Sequence, residues 1–250
     1  MKTVTSKIPK PIKKIYRRLR NTVRLILYYG KGRLCPVCNN SSRRFREYGL
    51  IRRNDAQCIH CNALERHRFL WLYLTMKTDL FSSSPKKMLH VAPEPCFTSK
   101  LKEQLGDNYL TADLFDPQVM VKMDITHIEY PDESFDVIYC SHVLEHVQDD
   151  KMAMREFFRV LSDDGWAILN VPITSEKTFE DPSITDPLER EKVFGQKDHV
   201  RRYGPDYVDR LRKAGFTVET IKVDDLIHSD EAVKMGLTPT SVGEIYYCTK

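Results

Sequence analysis

Residues 134–172 read SFDVIYCSHVLEHVQDDKMAMREFFRVLSDDGWAILNVP, a strand, a helix and a second strand in that order. Residues 135–140 are apolar apart from Asp136 and show no internal alternation, as expected of a strand buried on both faces. Within 149–161, Met154, Phe157, Phe158 and Leu161 recur at helical spacing and give the helix one apolar side. Asp164-Gly165 follows as a turn, and 166–171 resume an apolar strand. Two doubly buried strands joined through a helix are parallel neighbours, because a parallel pair needs a crossover of about a dozen residues or more.

The alternation continues on both sides. Upstream, 88–91, 109–114 and 121–125 read as strands, with a helix over 98–105 stopped by Gly106. Downstream, a helix over 205–214 is closed by Gly215, and 216–223 and 245–248 are the last strands. The pattern predicts an α/β fold with a doubly wound, mainly parallel sheet over 86–250. Ligands of such sheets bind beyond the carboxyl ends of the strands, where the winding reverses. Residues 174–204 are too long for a bare connection and are expected to form an insertion over that site.

The net charge of +4 conceals an uneven distribution. Residues 1–33 hold eleven Lys/Arg and no Asp/Glu, so the remainder carries −7. Residues 7–29 predict a basic amphipathic helix with Ile12, Ile15, Tyr16, Leu19, Val23, Ile26 and Leu27 near one face. Such an arm can lie on an anionic membrane surface, follow nucleic-acid phosphates or pack its apolar side on the body. No stretch reaches the ~20 apolar residues that span a bilayer, and no small-residue cleavage site follows 23–29. The expected address is cytoplasmic, with peripheral attachment to the inner face of a membrane if the arm docks there.

Cys35-Pro-Val-Cys38 and Cys58-Ile-His-Cys61 are separated by 19 residues. Two such knuckles present four thiolates to one ion, the spacing of a structural zinc ribbon over 34–62. Four sulfur ligands leave no open position, so the zinc is expected to hold structure. His60 is expected to point away. Arg43, Arg44, Arg46, Arg52 and Arg53 could meet phosphate, but only Phe45 and Tyr48 are there to stack on bases, so nucleic acid is the lesser reading. A helix over 63–76, within a connecting segment 63–85 that ends in SSSP, joins the ribbon to the main core; His67 and Arg68 in it are read as structural.

The run 134–172 resembles the fourth strand, following helix and fifth strand of class I S-adenosylmethionine-dependent methyltransferases of the type 11 group, whose members carry VLEHV and a helix ending in RVL-x-x-G-G. Here Asp164-Gly165 stands for the glycine pair. The resemblance covers roughly 86–250 and implies seven strands, the last antiparallel. It also implies S-adenosylmethionine as cofactor beside the structural Zn2+. LHVAPEPCF, residues 89–97, stands where the family writes a strand followed by D/E-x-G-x-G-x-G. His90 then takes the place of the usual acid, and Ala92, Glu94 and Cys96 those of the glycines. Pro93 and Pro95 fix the turn, and Glu94 would accept from the methionine ammonium. By the same resemblance Asp113 would chelate the ribose, Asp124 would read the adenine, Leu114 and Ile125 would wall it, and Ser141 and His142 would lie under the methyl group.

His142-x-x-Glu145-His146 also fits the inverted zinc-protease pattern, but that motif belongs inside a long helix. Quinone-pathway O-methyltransferases carry a metal-binding E-x-x-E-H at this place; His142 replaces the first Glu. Glu145 and His146 are taken as substrate-facing. In the insertion, His199 is the candidate general base, and Arg201, Arg202 and Tyr203 are candidates to hold an anionic or sugar acceptor. The reaction implied is methyl transfer to an oxygen or nitrogen of a small-molecule or glycan acceptor. The alternatives are RNA methylation using the ribbon, or a non-catalytic scaffold of the same fold.

Overall fold

A computed structural model describes residues 19, 22–49, 52–238 and 242–250. The amino-terminal half of the basic arm therefore lies outside the described residues. Residues 22–27 are helical, and Val23, Ile26, Leu27 and Tyr29 are exposed rather than packed on the body.

Two antiparallel hairpins form the cysteine unit: β1 (Arg33–Cys35) with β2 (Asn40–Ser42), and β3 (Arg46–Tyr48) with β4 (Arg53–Gln57). Helix α1 (Glu65–Lys77) leads from it to the main sheet. That sheet comprises β5 (Met88–Val91), β6 (Tyr109–Asp113), β7 (Val121–Lys122), β8 (Phe135–Ser141), β9 (Leu161–Asn170), β12 (Thr217–Ile221) and β13 (Ile245–Thr249). Its spatial order is β12-β13-β9-β8-β5-β6-β7. All neighbours are parallel except β13, which runs antiparallel between β9 and β12. The winding reverses between β5 and β8, so the carboxyl ends of these two strands frame the binding crevice.

Side chains of the central strands divide by the period of two. Val137, Tyr139, Trp166 and Ile168 face one side, under α1 and α2 (Pro95–Leu105). Ile138, Cys140, Ala167 and Leu169 face the other, under α3 (Asp150–Val160) and α5 (Tyr207–Lys213). Phe157 and Leu211 are fully buried there, each such side chain contributing about 1.5–3 kcal/mol. The ribbon residues Cys35, Val37, Phe45 and Cys58 join the first of these cores. Arg68, fully buried, ties the parts together. It donates to the carbonyls of Ala56 and Ala63 and to those of Met235 and Gly236 just after α6 (Ser229–Lys234), and lies 4.1 Å over the Phe45 ring. Gly236, at φ 63°, leaves room for this, since a Cβ would stand 3.1 Å from the guanidinium.

Several boundaries differ from those expected. Helix α2 begins at Pro95, where a missing N–H costs nothing. Strand β7 stops at Lys122, because the chain turns after the Met123 amide donates to Asp113. Strand β9 begins at Leu161, which pairs with Phe135, so the Asp164-Gly165 turn lies inside an irregular strand. A Cβ on Gly165 would come within 2.8 Å of the Asp136 carbonyl. One glycine is required there, and the preceding residue is free to be Asp. The insertion is organised by the pair β10 (Phe179–Glu180) and β11 (Arg201–Arg202), with α4 (Pro187–Phe194) between them.

Candidate active site

The four cysteine sulfurs converge, with all ligand atoms within 4.8 Å of one another. Cys35 and Cys61 stand 3.6 Å apart and Cys38 and Cys58 3.7 Å, close to the ~3.8 Å edge of a tetrahedron with ~2.3 Å Zn–S bonds. The donor set fits zinc. Each knuckle closes on an asparagine in the left-handed region, Asn39 (φ 54°) and Asn62 (φ 63°), whose amides donate to Cys35 and Cys58. The repeated C-x-x-C-N of 35–39 and 58–62 is the sequence mark of these turns. The His60 ring turns away to the Ser41 carbonyl. Several ribbon arginines are engaged within the fold: Arg46 with Gln57, Arg52 with Glu47 and Arg53 with Glu65. The geometry adds nothing to the phosphate reading.

At the crevice, a cavity of about 660 Å³ is lined by Ala92, Asp113, Leu114, Met123, Asp124 and Ile125 on one side. His142, Val143, His146 and Asp198 line the other. Its size suits a small ligand. Ala92 has φ 49°, the left-handed conformation that glycine adopts without strain, and its amide donates to the Ala112 carbonyl. Asp113 accepts from the amides of Phe115 and Asp116 through one oxygen, and Asp124 accepts from Thr126 likewise. These bonds fix both carboxylates at the strand ends.

Residues 83–169 match a family described as "Methyltransferase domain". Over that third of its length the chain resembles a methyltransferase domain. It is 34% identical over 93 residues to "Phosphoethanolamine N-methyltransferase 3" of Arabidopsis thaliana and 38% over 95 residues to "Phosphoethanolamine N-methyltransferase 1". Those stretches cover 37% and 38% of this chain, but the chain spans only 18% of the length of each relative. An S-adenosylmethionine dependent methyltransferase from Mesorhizobium loti aligns with a TM-score of 0.50 at 14% identity, over 73% of this chain and 98% of that one. This shows a shared fold.

Within the methyltransferase-like domain the first loop differs from expectation. His90 does not line the cavity: it is fully buried, its ring held by the Tyr109 hydroxyl at 2.7 Å and Glu94 at 2.8 Å. The Tyr139 hydroxyl donates to the other Glu94 oxygen at 2.8 Å, and His67 of α1 stands 3.8 Å from it. Burial, the largest influence, would raise the Glu94 carboxyl, but His90, His67 and Tyr139 together outweigh it and hold Glu94 below its ordinary range. Glu94 therefore pins the loop from beneath, and the expected contact with an ammonium gives way to this network. Pro93 and Ser141 are likewise outside the lining; the Ser141 hydroxyl lies 3.4 Å from His142. His142 is in the lining, at φ 58°, and burial, with the Arg66 charge adding, pushes its ring down to about 3. It is a neutral imidazole at neutral pH.

The insertion corrects three further expectations. Arg201 is buried and spends its guanidinium on the carbonyls of Leu144, Val147 and Gln148 and on Glu180. Tyr203 is fully buried and donates to Asp150 at 2.6 Å. Arg202 donates to Thr174 within the insertion. Arg201 and Tyr203 fasten the insertion to the 144–150 segment, and Arg202 braces the insertion itself. His199 is 7% exposed and lies behind His146, ring centroids 4.6 Å apart, while the neighbouring Asp198 reaches the cavity. Asp198, a residue that could equally tie the insertion to an arginine, pairs instead with His146 at 3.3 Å.

Proposed function

We propose that the chain transfers a methyl group from S-adenosylmethionine to a small-molecule acceptor. One observation carries the reading: two strand-end carboxylates, Asp113 and Asp124, share a cavity with an alanine held in the backbone conformation of the missing glycine. Asp113 would take the ribose hydroxyls, Asp124 the adenine amino group, with Leu114 and Ile125 against the ring. Ala92 gives the methionine part a close backbone approach. Bound there, the cofactor supplies an electrophilic sulfonium methyl. What the chain adds is alignment and exclusion of water. His142, neutral, can accept a hydrogen bond from an acceptor O–H or N–H without repelling the sulfonium.

The acceptor enters from the side of His146 and Asp198, under the insertion. The phosphoethanolamine N-methyltransferase relatives support a small, polar acceptor. The exposed Val23, Ile26, Leu27 and Tyr29 support docking of the arm on an anionic membrane surface. Calorimetric titration of S-adenosylmethionine into the zinc-loaded chain tests the central reading. Binding that Asp113→Ala loses is the expected result. Absence of binding to a folded protein would sink it and favour a scaffold role.

A further inference from the structure

Glu145, His146 and His199 bring one carboxylate oxygen and two imidazole nitrogens within 4.8 Å of one another. Neither Glu145 nor His199 is satisfied by the fold. Glu145 Oε2 and His199 Nε2 are buried without a hydrogen-bond partner, in side chains 2% and 7% exposed. An orphaned buried carboxylate oxygen costs on the order of 1–3 kcal/mol or more and needs a compensating group. Among the described residues no cationic side chain hydrogen-bonds the Glu145 carboxylate: the Arg66 and Arg201 charges act on it from nearby, and Arg201 is spent on carbonyls and Glu180.

The surroundings already orient these groups as ligands. His146 Nδ1 lies 3.3 Å from Asp198, so its Nε2 is the nitrogen left to coordinate. The Phe194 backbone hydrogen-bonds the His199 ring, which leaves Nε2 as the orphan there too. A carboxylate or carbonyl behind each imidazole is the support that metal-ligating histidines have. The Val200 amide donates to the Glu145 carbonyl at 2.9 Å, fixing the insertion against the 144–146 turn.

We propose that Glu145, His146 and His199 form a second metal site, binding one divalent first-row cation with an open coordination position toward the cavity. Two imidazoles and a carboxylate suit Zn2+, Co2+ or Mn2+. The ligand atoms lie within 4.8 Å of one another, and ligands ~2.1 Å from a tetrahedral ion stand about 3.4 Å apart, so ion binding draws the widest pair together by up to about 1.4 Å. His142 is not part of this set; the third ligand comes from the insertion. The open position faces the side where His146 and Asp198 line the cavity. There the ion would hold an oxygen atom of the acceptor, which makes the acceptor class a hydroxyl or enol compound. That role rests on the proposed methyl transfer, whereas binding of the ion does not.

Cobalt titration of the zinc-loaded full-length chain, without S-adenosylmethionine, tests the site. The expected result is one Co2+ per chain with the single Zn2+ retained by elemental analysis, and visible d–d bands without a thiolate-to-cobalt band. Glu145→Gln and His199→Ala should each weaken binding at least about tenfold, and Asp198→Asn about ten- to a hundredfold, while circular dichroism stays unchanged. Binding that Glu145→Gln leaves intact would overturn the proposal, as would total metal that never exceeds one ion per chain. Since the titration contains no cofactor, its failure and a failure of S-adenosylmethionine to bind are separate results.

Discussion

Two glutamates, each beside two histidines, flank the crevice, Glu145 buried and Glu94 half-buried, and they are in opposite states. Glu94 is closed on itself, with one oxygen on His90 and the other on Tyr139. Glu145 keeps an oxygen without a partner beside His146 and His199. Burial raises the Glu145 carboxyl to about 7, whereas at Glu94 the contacts with His90, His67 and Tyr139 together overcome burial and lower it. Residue type and neighbours are thus shared, and the difference lies in the carboxylates themselves: both Glu94 oxygens are bonded, and one Glu145 oxygen is not. The first fixes the cofactor loop; the second waits for something to enter.

The comparison can be broken most forcefully through the ribbon. Removing its zinc should lower the thermal midpoint by roughly 10–20 °C, because structural zinc is worth many kcal/mol and ~1 kcal/mol moves a domain of this size by ~2–4 °C. Hydrogen exchange should then show α1 and the loop at 91–94 opening, since His67 on α1 abuts Glu94, while amides at 144–147 keep their protection. Equal loss in both regions would erase the distinction.

Next in size, Glu94→Gln should cost about 2 kcal/mol in urea unfolding, leaving buried His90 and Tyr139 with a poorer acceptor. Glu145→Gln in metal-free protein should be neutral or stabilising. A similar loss from both variants would mean that Glu145 is as well satisfied as Glu94.

A smaller effect belongs to the fastening of the insertion. Burial would raise the Glu180 carboxyl, but Arg210 and Arg201 hold it down at about 2. A depressed carboxylate stabilises the fold fully above its unfolded value of about 4.3, and that contribution disappears as pH falls toward 2. Glu180 is one-third exposed, so after screening the loss is on the order of 1 kcal/mol. Comparing Glu180→Gln with the parent from pH 6 to pH 2 reads it: the gap should close on acidification. A constant gap would assign the role of Glu180 to packing.

The smallest effect concerns Ala92. Ala92→Gly should relieve a left-handed alanine by about 1 kcal/mol, seen as a slightly higher urea midpoint. A drop would show that the loop depends on the methyl group.

These cases show what the sequence disclosed. Fold and crevice were legible because strand burial is written in uninterrupted apolar runs and because Asp113 and Asp124 follow their strands directly. The ribbon was legible because ligand spacing is local. His90, Arg201 and Tyr203 were misassigned for one reason. A polar residue near a strand end reads the same whether it meets a ligand or a distant partner, and Tyr109, Glu180 and Asp150 are tens of residues away. The third member of the Glu145 cluster was hidden likewise, 53 positions beyond His146.

Arg68 carries a consequence for how the molecule is made. Two of the carbonyls that it needs belong to Met235 and Gly236, 167 and 168 positions further along the chain. At synthesis rates of ~5–20 residues per second, the guanidinium waits roughly 10–30 s for them. The cysteine knuckles, being local, can close around their ion long before that. The ribbon therefore starts folding well before its junction with the sheet can be completed, and that junction waits for the same stretch of chain that supplies β13, the strand that joins β12 to the rest of the sheet.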